Sequence, residues 1–174
     1  MNKIIIIKGL DEIYNNYDTF IIDQWGVMHD GKKGYFKAIS CVEKLFLKNK
    51  NLIIISNSSK RKKSTLNKLS ELGYNFSFFK EVMTSGEMIW QSLLKENFKE
   101  IKNLGKKCFH IFNKSEGGED FFKGLEKFRL VDDIKESHFI LGCTPFANSK
   151  ILDYVPLLDI AINNNIPFVC ANPD

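Results

Sequence analysis

Two short stretches of this chain carry side chains that could do chemistry together. The first holds Asp23, in FIIDQWGVMHDG. A carboxylate that ends an apolar run and precedes a glycine-containing turn can act as a nucleophile or hold a divalent cation. The N–H groups of that turn, Trp25 and Gly26 among them, can receive phosphate oxygens. The second holds Ser56 and Asn57, in NLIIISNSSK. A hydroxyl and an amide that lead into a helix N-terminus offer donors to an anion, which the helix dipole also favours. Plainer roles compete. Asp23 can simply cap a turn, and the Ser–Asn–Ser run contains the residue types preferred as helix N-caps, so Ser58 or Ser59 can cap while Ser56 faces a ligand. The pair is more specific than either part, because two adjacent strands that end in these residues place them side by side at one rim of a sheet.

The elements needed to position them are legible. Residues 19–23 form a short β-branched run, and Gly26 and Gly31 mark the turn after it. Residues 35–48 have helical spacing, with Ile39, Val42, Leu45 and Phe46 on one face. Residues 51–56 are continuously apolar, as in a parallel strand buried on both faces. Residues 60–72 read as a helix with Leu66, Leu69 and Leu72 inward and Gly73 as its stop. A third strand is expected at 81–84, then a helix capped by Ser85 that carries Met88, Ile89, Leu93 and Leu94. Alternation of this kind signifies a parallel sheet, whose functional groups sit at the carboxyl ends of its strands. Beyond residue 95, apolar runs at 108–112, 128–131, 139–143 and 167–171 predict a second, smaller α/β unit. Helices are expected near 119–127 and 155–163, with Pro156 in the first turn of the latter.

The 174 residues are 44% hydrophobic and 26% charged, ample for one core or a core plus a small module. A net charge of +4, with the lysines spread along the chain, argues against nucleic acid as a partner. No stretch approaches the roughly 20 apolar residues of a membrane helix, and no signal-peptide pattern opens the chain. Cys41, Cys108, Cys143 and Cys170 form no CxxC pair and read as buried free thiols. A cytoplasmic protein is the expectation.

The segments DQWGVMHDG, IIISNSSKRK, LNKLSELGY and EVMTSGE, with VPLLDIAINNNIPFVCANPD near the end, resemble the haloacid dehalogenase superfamily. The nearest resemblance is to its class IIA phosphatases, and it runs from about residue 10 to 174. It implies an α/β fold: a Rossmannoid parallel-sheet core at 1–86, an inserted α/β cap at 87–170, and a return to the core at 171–174, with the core incomplete at its C-terminus. It implies Asp23 as the nucleophile that becomes phospho-aspartate and as a Mg²⁺ ligand, and the Trp25 backbone carbonyl as the second ligand. Ser56, with Asn57 beside it, would bind the transferred phosphoryl group. Asn172 and Asp174 would lie near the active-site mouth. The implied substrate is a small phosphorylated metabolite. A homo-oligomer or a complementing C-terminal half is the implied partner.

Two departures stand out. The family usually has a second Asp two positions after the nucleophile, as acid and base. Here that position is Trp25, whose indole cannot shuttle a proton, and a positioned acid–base is worth about 10²–10⁴-fold in rate. Asp30 or His29 are the nearby candidates to replace it. The family's later phosphate-steadying Lys and acidic metal-binding segment are also missing before Asp174, and the strand missing from the side of the Asp23 strand would leave an apolar edge open. The reading is therefore a phosphohydrolase impaired as this chain. The alternative is a non-catalytic relative that binds phosphate or a partner. A dinucleotide-binding module lacks its Gly-rich turn. Lys60, Arg61, Lys62 and Lys63 could draw in anions, but a solvated helix face is the preferred reading.

Overall fold

The computed structural model describes residues 4, 6–114, 118–145 and 148–172. They fall into two compact units, one of Met1–Ser56 with Leu66–Val82 and one of Asn57–Thr65 with Met83–Asp174.

The first unit is built on a three-stranded sheet in the order β1-β2-β3, with β1 at Thr19–Ile22, β2 at Asn51–Ser56 and β3 at Phe79–Thr84, the last two residues of β3 being counted with the second unit. β1 and β2 run parallel in the register Thr19↔Asn51 to Ile22↔Ile54. The crossover between them is α1, Phe36–Leu47, whose Val42 and Leu45 are buried as the helical spacing requires. They pack with Leu52, Ile54, Leu69, Leu72 and Tyr74. α2 spans Lys62–Glu71, and Gly73 (φ +92°) ends it in the left-handed region that glycine tolerates. β3 starts two residues earlier than expected. The opposite side of β1 and β2 is open: Ile21 is 67% and Ile55 50% exposed.

The second unit has a four-stranded parallel sheet ordered β5-β4-β6-β7, with β4 at Lys107–Ile111, β5 at Arg129–Leu130, β6 at Phe139–Gly142 and β7 at Phe168–Cys170. β6 is buried throughout. Phe139 and Leu141 enter a cluster with Leu93, Cys108, Phe121 and Phe128. Ile140 faces the other way, into one with Ile134 and Ala161. This alternation is the period-2 pleat of a strand covered on both faces, and each such side chain contributes about 1.5–3 kcal/mol.

Three local expectations are corrected. α3, Ser85–Lys95, is capped by Thr84 and not Ser85: the Thr84 hydroxyl accepts from the Glu87 N–H at 3.0 Å. The helix expected at 119–127 is a 3-10 turn at Gly118–Phe122. The chain then turns at Gly124 (φ +85°), where an added Cβ would sit 2.9 Å from the Trp90 ring. A short α4, Lys99–Lys102, follows α3. α5 spans Ile151–Asn163, so Pro156 lies inside the helix rather than in its first turn and leaves the Leu152 carbonyl without its i+4 donor. All four cysteines are free; Cys108 and Cys143 are buried as expected, whereas Cys41 is half-buried and Cys170 exposed, which corrects the expectation of burial for those two.

Candidate active site

Asp23 follows the last residue of β1, and Ser56 is the last of β2. Since Ile22 is level with Ile54, Asp23 comes level with Ile55, one residue short of Ser56. Strands lie about 4.8 Å apart and rise about 3.3 Å per residue, so the two Cα atoms are about 6 Å apart. The carboxylate is on the exposed side, whereas Ser56 is only 8% exposed. The two can therefore reach one anion only over the C-terminal rim of the sheet. Asn57, also exposed, begins the second unit.

The segment after Asp23 is a folded loop and not a loose turn. The carbonyl of the buried Gln24 receives the N–H groups of Val27, Met28 and His29 at 3.2, 2.7 and 3.4 Å. The Met28 carbonyl receives the Tyr35 N–H at 2.8 Å and the Tyr74 hydroxyl. Burial pushes the Tyr74 phenol up to about 12, so it donates throughout the accessible pH range. Gly26 (φ +74°) permits the turn, but its N–H already donates to the His29 carbonyl at 2.9 Å. In this structure its contribution is conformational. Trp25 is 67% exposed and meets His29 edge-on, with ring centroids 5.9 Å apart.

The two candidate replacements for the missing acid–base are engaged in this loop. Asp30 accepts the N–H groups of Lys33 and Lys32 at 2.8 and 2.9 Å, and these bonds hold its carboxyl below the usual range. A carboxylate held ionised by the backbone is a poor proton donor. The Nδ1 of His29, a buried residue, accepts the Gly31 N–H at 3.1 Å.

In the second unit the structure assembles a polar cluster of which the sequence reading found one member. Asn172 donates to the Thr144 hydroxyl at 3.1 Å, and Thr144 shares a hydroxyl–hydroxyl bond with Ser59 at 2.9 Å while its N–H donates to Ser59 Oγ at 3.0 Å. Ser59 is therefore tied to Thr144, and it is Ser58 that accepts the Lys60 N–H. Asp174 lies outside the described residues.

The basic run is likewise not a plain solvated face. Arg61 Nε donates to Glu87 Oε2 at 2.8 Å, and its guanidinium lies 3.6 Å over the Trp90 ring. Glu87 also receives the Lys62 N–H and Gln91. Burial pushes its carboxyl up, but these bonds outweigh it and hold the group below its usual value.

Among the described residues no group of three or more His, Cys, Asp or Glu could hold a metal ion. Asp23 and the Trp25 carbonyl fit part of a magnesium shell, since Mg²⁺ commonly takes one or two carboxylates and completes its octahedron with water and phosphate oxygens. No described helix is long and apolar enough to cross a membrane.

A parallel β–α–β unit with a carboxylate and a hydroxyl at neighbouring strand ends places the chain among Rossmann-type α/β proteins. The profile of the haloacid dehalogenase-like hydrolases matches residues 20–125, more than half of the chain, and the chain belongs to that family. A haloacid dehalogenase-like hydrolase from Brucella suis superposes with a TM-score of 0.80 at 27% identity, over 98% of this chain and 61% of that one. A p-nitrophenyl phosphatase from Archaeoglobus fulgidus gives 0.64 at 20% identity, over 91% and 56%. A glycerol phosphate phosphatase from Mycobacterium tuberculosis, crystallised with magnesium, gives 0.62 at 17%, over 93% and 46%. The chain thus spans between about half and three-fifths of these proteins. No curated protein matches it in sequence.

Proposed function

We propose that this chain carries the nucleophile half of a Mg²⁺-dependent phosphatase for a small phosphorylated metabolite. The observation that carries the reading is the β1–β2 register, which brings the Asp23 and Ser56 backbones together at one rim. Asp23 attacks phosphorus, the bond to the leaving oxygen breaks, and the phosphoryl group rests on the carboxylate until water releases it. The Ser56 hydroxyl holds a phosphoryl oxygen, with Asn57 next in the chain. Asp23 and the Trp25 carbonyl are the residues that would hold magnesium, which supplies charge neutralisation in such transfers. Residues 87–170 act as the cap that selects the substrate, and Asn172 belongs to the return segment. The compartment is the cytoplasm.

A second reading rests on Trp25. With an indole at the usual acid–base position and Asp30 bound into the loop, the chain is one that binds phosphate, or a partner chain that completes its core. The open side of β1 and β2 at Ile21 and Ile55 favours such a partner, either a complementing half or a second copy.

The test is hydrolysis of p-nitrophenyl phosphate with Mg²⁺ by a full-length form, with Asp23→Asn beside it. Turnover that Asp23→Asn abolishes supports the first reading. Undiminished turnover in that variant rejects Asp23 as nucleophile. A wild type that binds phosphate and does not turn over leaves the second reading standing.

A further inference from the structure

A groove of about 590 Å³ runs along α1, walled on its other side by the 3-10 turns at Leu10–Glu12 and Tyr14–Asn16. It lies within the first unit, and nothing in the phosphatase reading uses it. Its ends are apolar and open: Phe36 is 83% and Leu47 69% exposed, with Leu10 at 39% on the facing wall. Lys37, Lys44 and Lys48 border it, against one acid, Asp11. Among the described residues none of the three lysines forms an ion pair.

We propose that this groove docks an acidic amphipathic helix of a partner protein. The spacing of the groups selects this occupant. Lys37 and Lys48 are eleven residues apart on one helix, about 16 Å, too far for one carboxylate or phosphate head to bridge both. Phe36 and Leu47 repeat the same interval as apolar anchors. A helix of three to four turns, with an apolar stripe flanked by carboxylates, meets both sets at once in the helix-in-groove mode. The site is concave, with apolar residues on both walls, so a flat bilayer surface cannot fill it. The three lysines steer an acidic partner and set its register.

The probe is a labelled synthetic helical peptide of about 16 residues, with leucines at i, i+4, i+7 and i+11 and glutamates beside them, titrated with the whole chain by fluorescence anisotropy. Saturable binding in the micromolar range is expected. It should weaken about tenfold in Lys44→Glu, the equivalent of one lost charge contact, and fall further as salt rises from about 50 to 300 mM. Phe36→Ala, an exposed change that leaves the fold intact, should weaken it several-fold. The peptide should also slow alkylation of Cys41, which lines the groove, in a Cys170→Ser background. No binding at about 1 mM peptide overturns the proposal. So does equal binding of the same peptide with lysines for glutamates, or binding to anionic phosphatidylserine vesicles with the same Lys44 dependence and no peptide binding.

Discussion

His110 offers a direct test of how the second unit's core is built. The ring lies on β4, stacked on Phe112 with centroids 4.4 Å apart, edge-on to Phe122 at 5.2 Å and beside Phe121 at 5.8 Å. Its Nε2 is 3.4 Å from Cys143 Sγ. Burial pushes the Cys143 thiol up to about 12, so it is neutral. These neighbours carry no charge that would favour an imidazolium, and burial lowers His110 from 6.5 to about 4. The folded chain therefore refuses a proton that the unfolded chain accepts. The cost is absent above pH 6.5, grows as pH falls below it, and is complete near pH 4. A difference of this size corresponds to about 3 kcal/mol, or about 2–3 allowing for partial exposure of the ring. Urea unfolding of the wild type and His110→Phe at pH 7, 6, 5 and 4 measures it. Phenylalanine joins an aromatic cluster, so the two proteins should lie within about 1 kcal/mol of each other at pH 7. By pH 4 the wild type should have lost about 2–3 kcal/mol more than the variant. Acid losses common to both cancel in that difference. Stability curves that stay parallel within about 0.5 kcal/mol from pH 7 to 4 would show that the ring is hydrated and that its aromatic surroundings do not set its charge.

Glu87→Gln leaves the Arg61 guanidinium, whose side chain is 20% exposed, without its carboxylate. A loss of about 2–3 kcal/mol is expected, just under the range for a fully buried pair, seen as a midpoint lower by about 4–12 °C in thermal unfolding followed by circular dichroism. Because Glu87 is held below its ordinary 4.5, its contribution is present above that pH and is lost as pH falls through the lower folded value, so the gap between wild type and variant should close in strong acid. Tyr74→Phe removes one of two donors to the Met28 carbonyl and should cost about 1 kcal/mol in urea unfolding, because the Tyr35 N–H remains. Limited proteolysis should then cut the segment at 24–34 faster than in the wild type.

The features legible in the sequence are those that repeat or that act over a few residues. The buried run at 51–56 and the helical stripe of Val42 and Leu45 announce a parallel strand and its crossover, and the register these strands adopt brings the Asp23 and Ser56 backbones together. What escaped is of two kinds. Thr84 and Ser85 are adjacent hydroxyls of nearly equal capping strength, and only the folded path of the chain decides that Thr84 reaches the Glu87 N–H. The other kind is polar contact across long sequence intervals. Arg61 finds Glu87 and Trp90, and Ser59 finds Thr144, eighty-five residues away. No periodicity encodes such pairs, so a basic run looked like a solvated face and a serine like a simple cap.

Gly86 shows the two kinds meeting at one residue. An added Cβ would fall 1.9 Å from the Ser59 carbonyl oxygen, and the Gly86 N–H donates to the Ser58 carbonyl at 3.0 Å. The family-like segments IIISNSSKRK and EVMTSGE are thus in backbone contact with each other. A glycine at this point of the second segment is required because the first passes too close for any side chain. The Ser59–Thr144–Asn172 bonds attach a third segment to the same stretch. The hydroxyl-rich run after β2 therefore holds its own unit together, which is a role its composition shares with anion binding. Ser56, the last residue of β2, lies in the same unit as Asp23, whereas the run after it does not, and the chemical reading rests on Ser56 rather than on the serines that follow it.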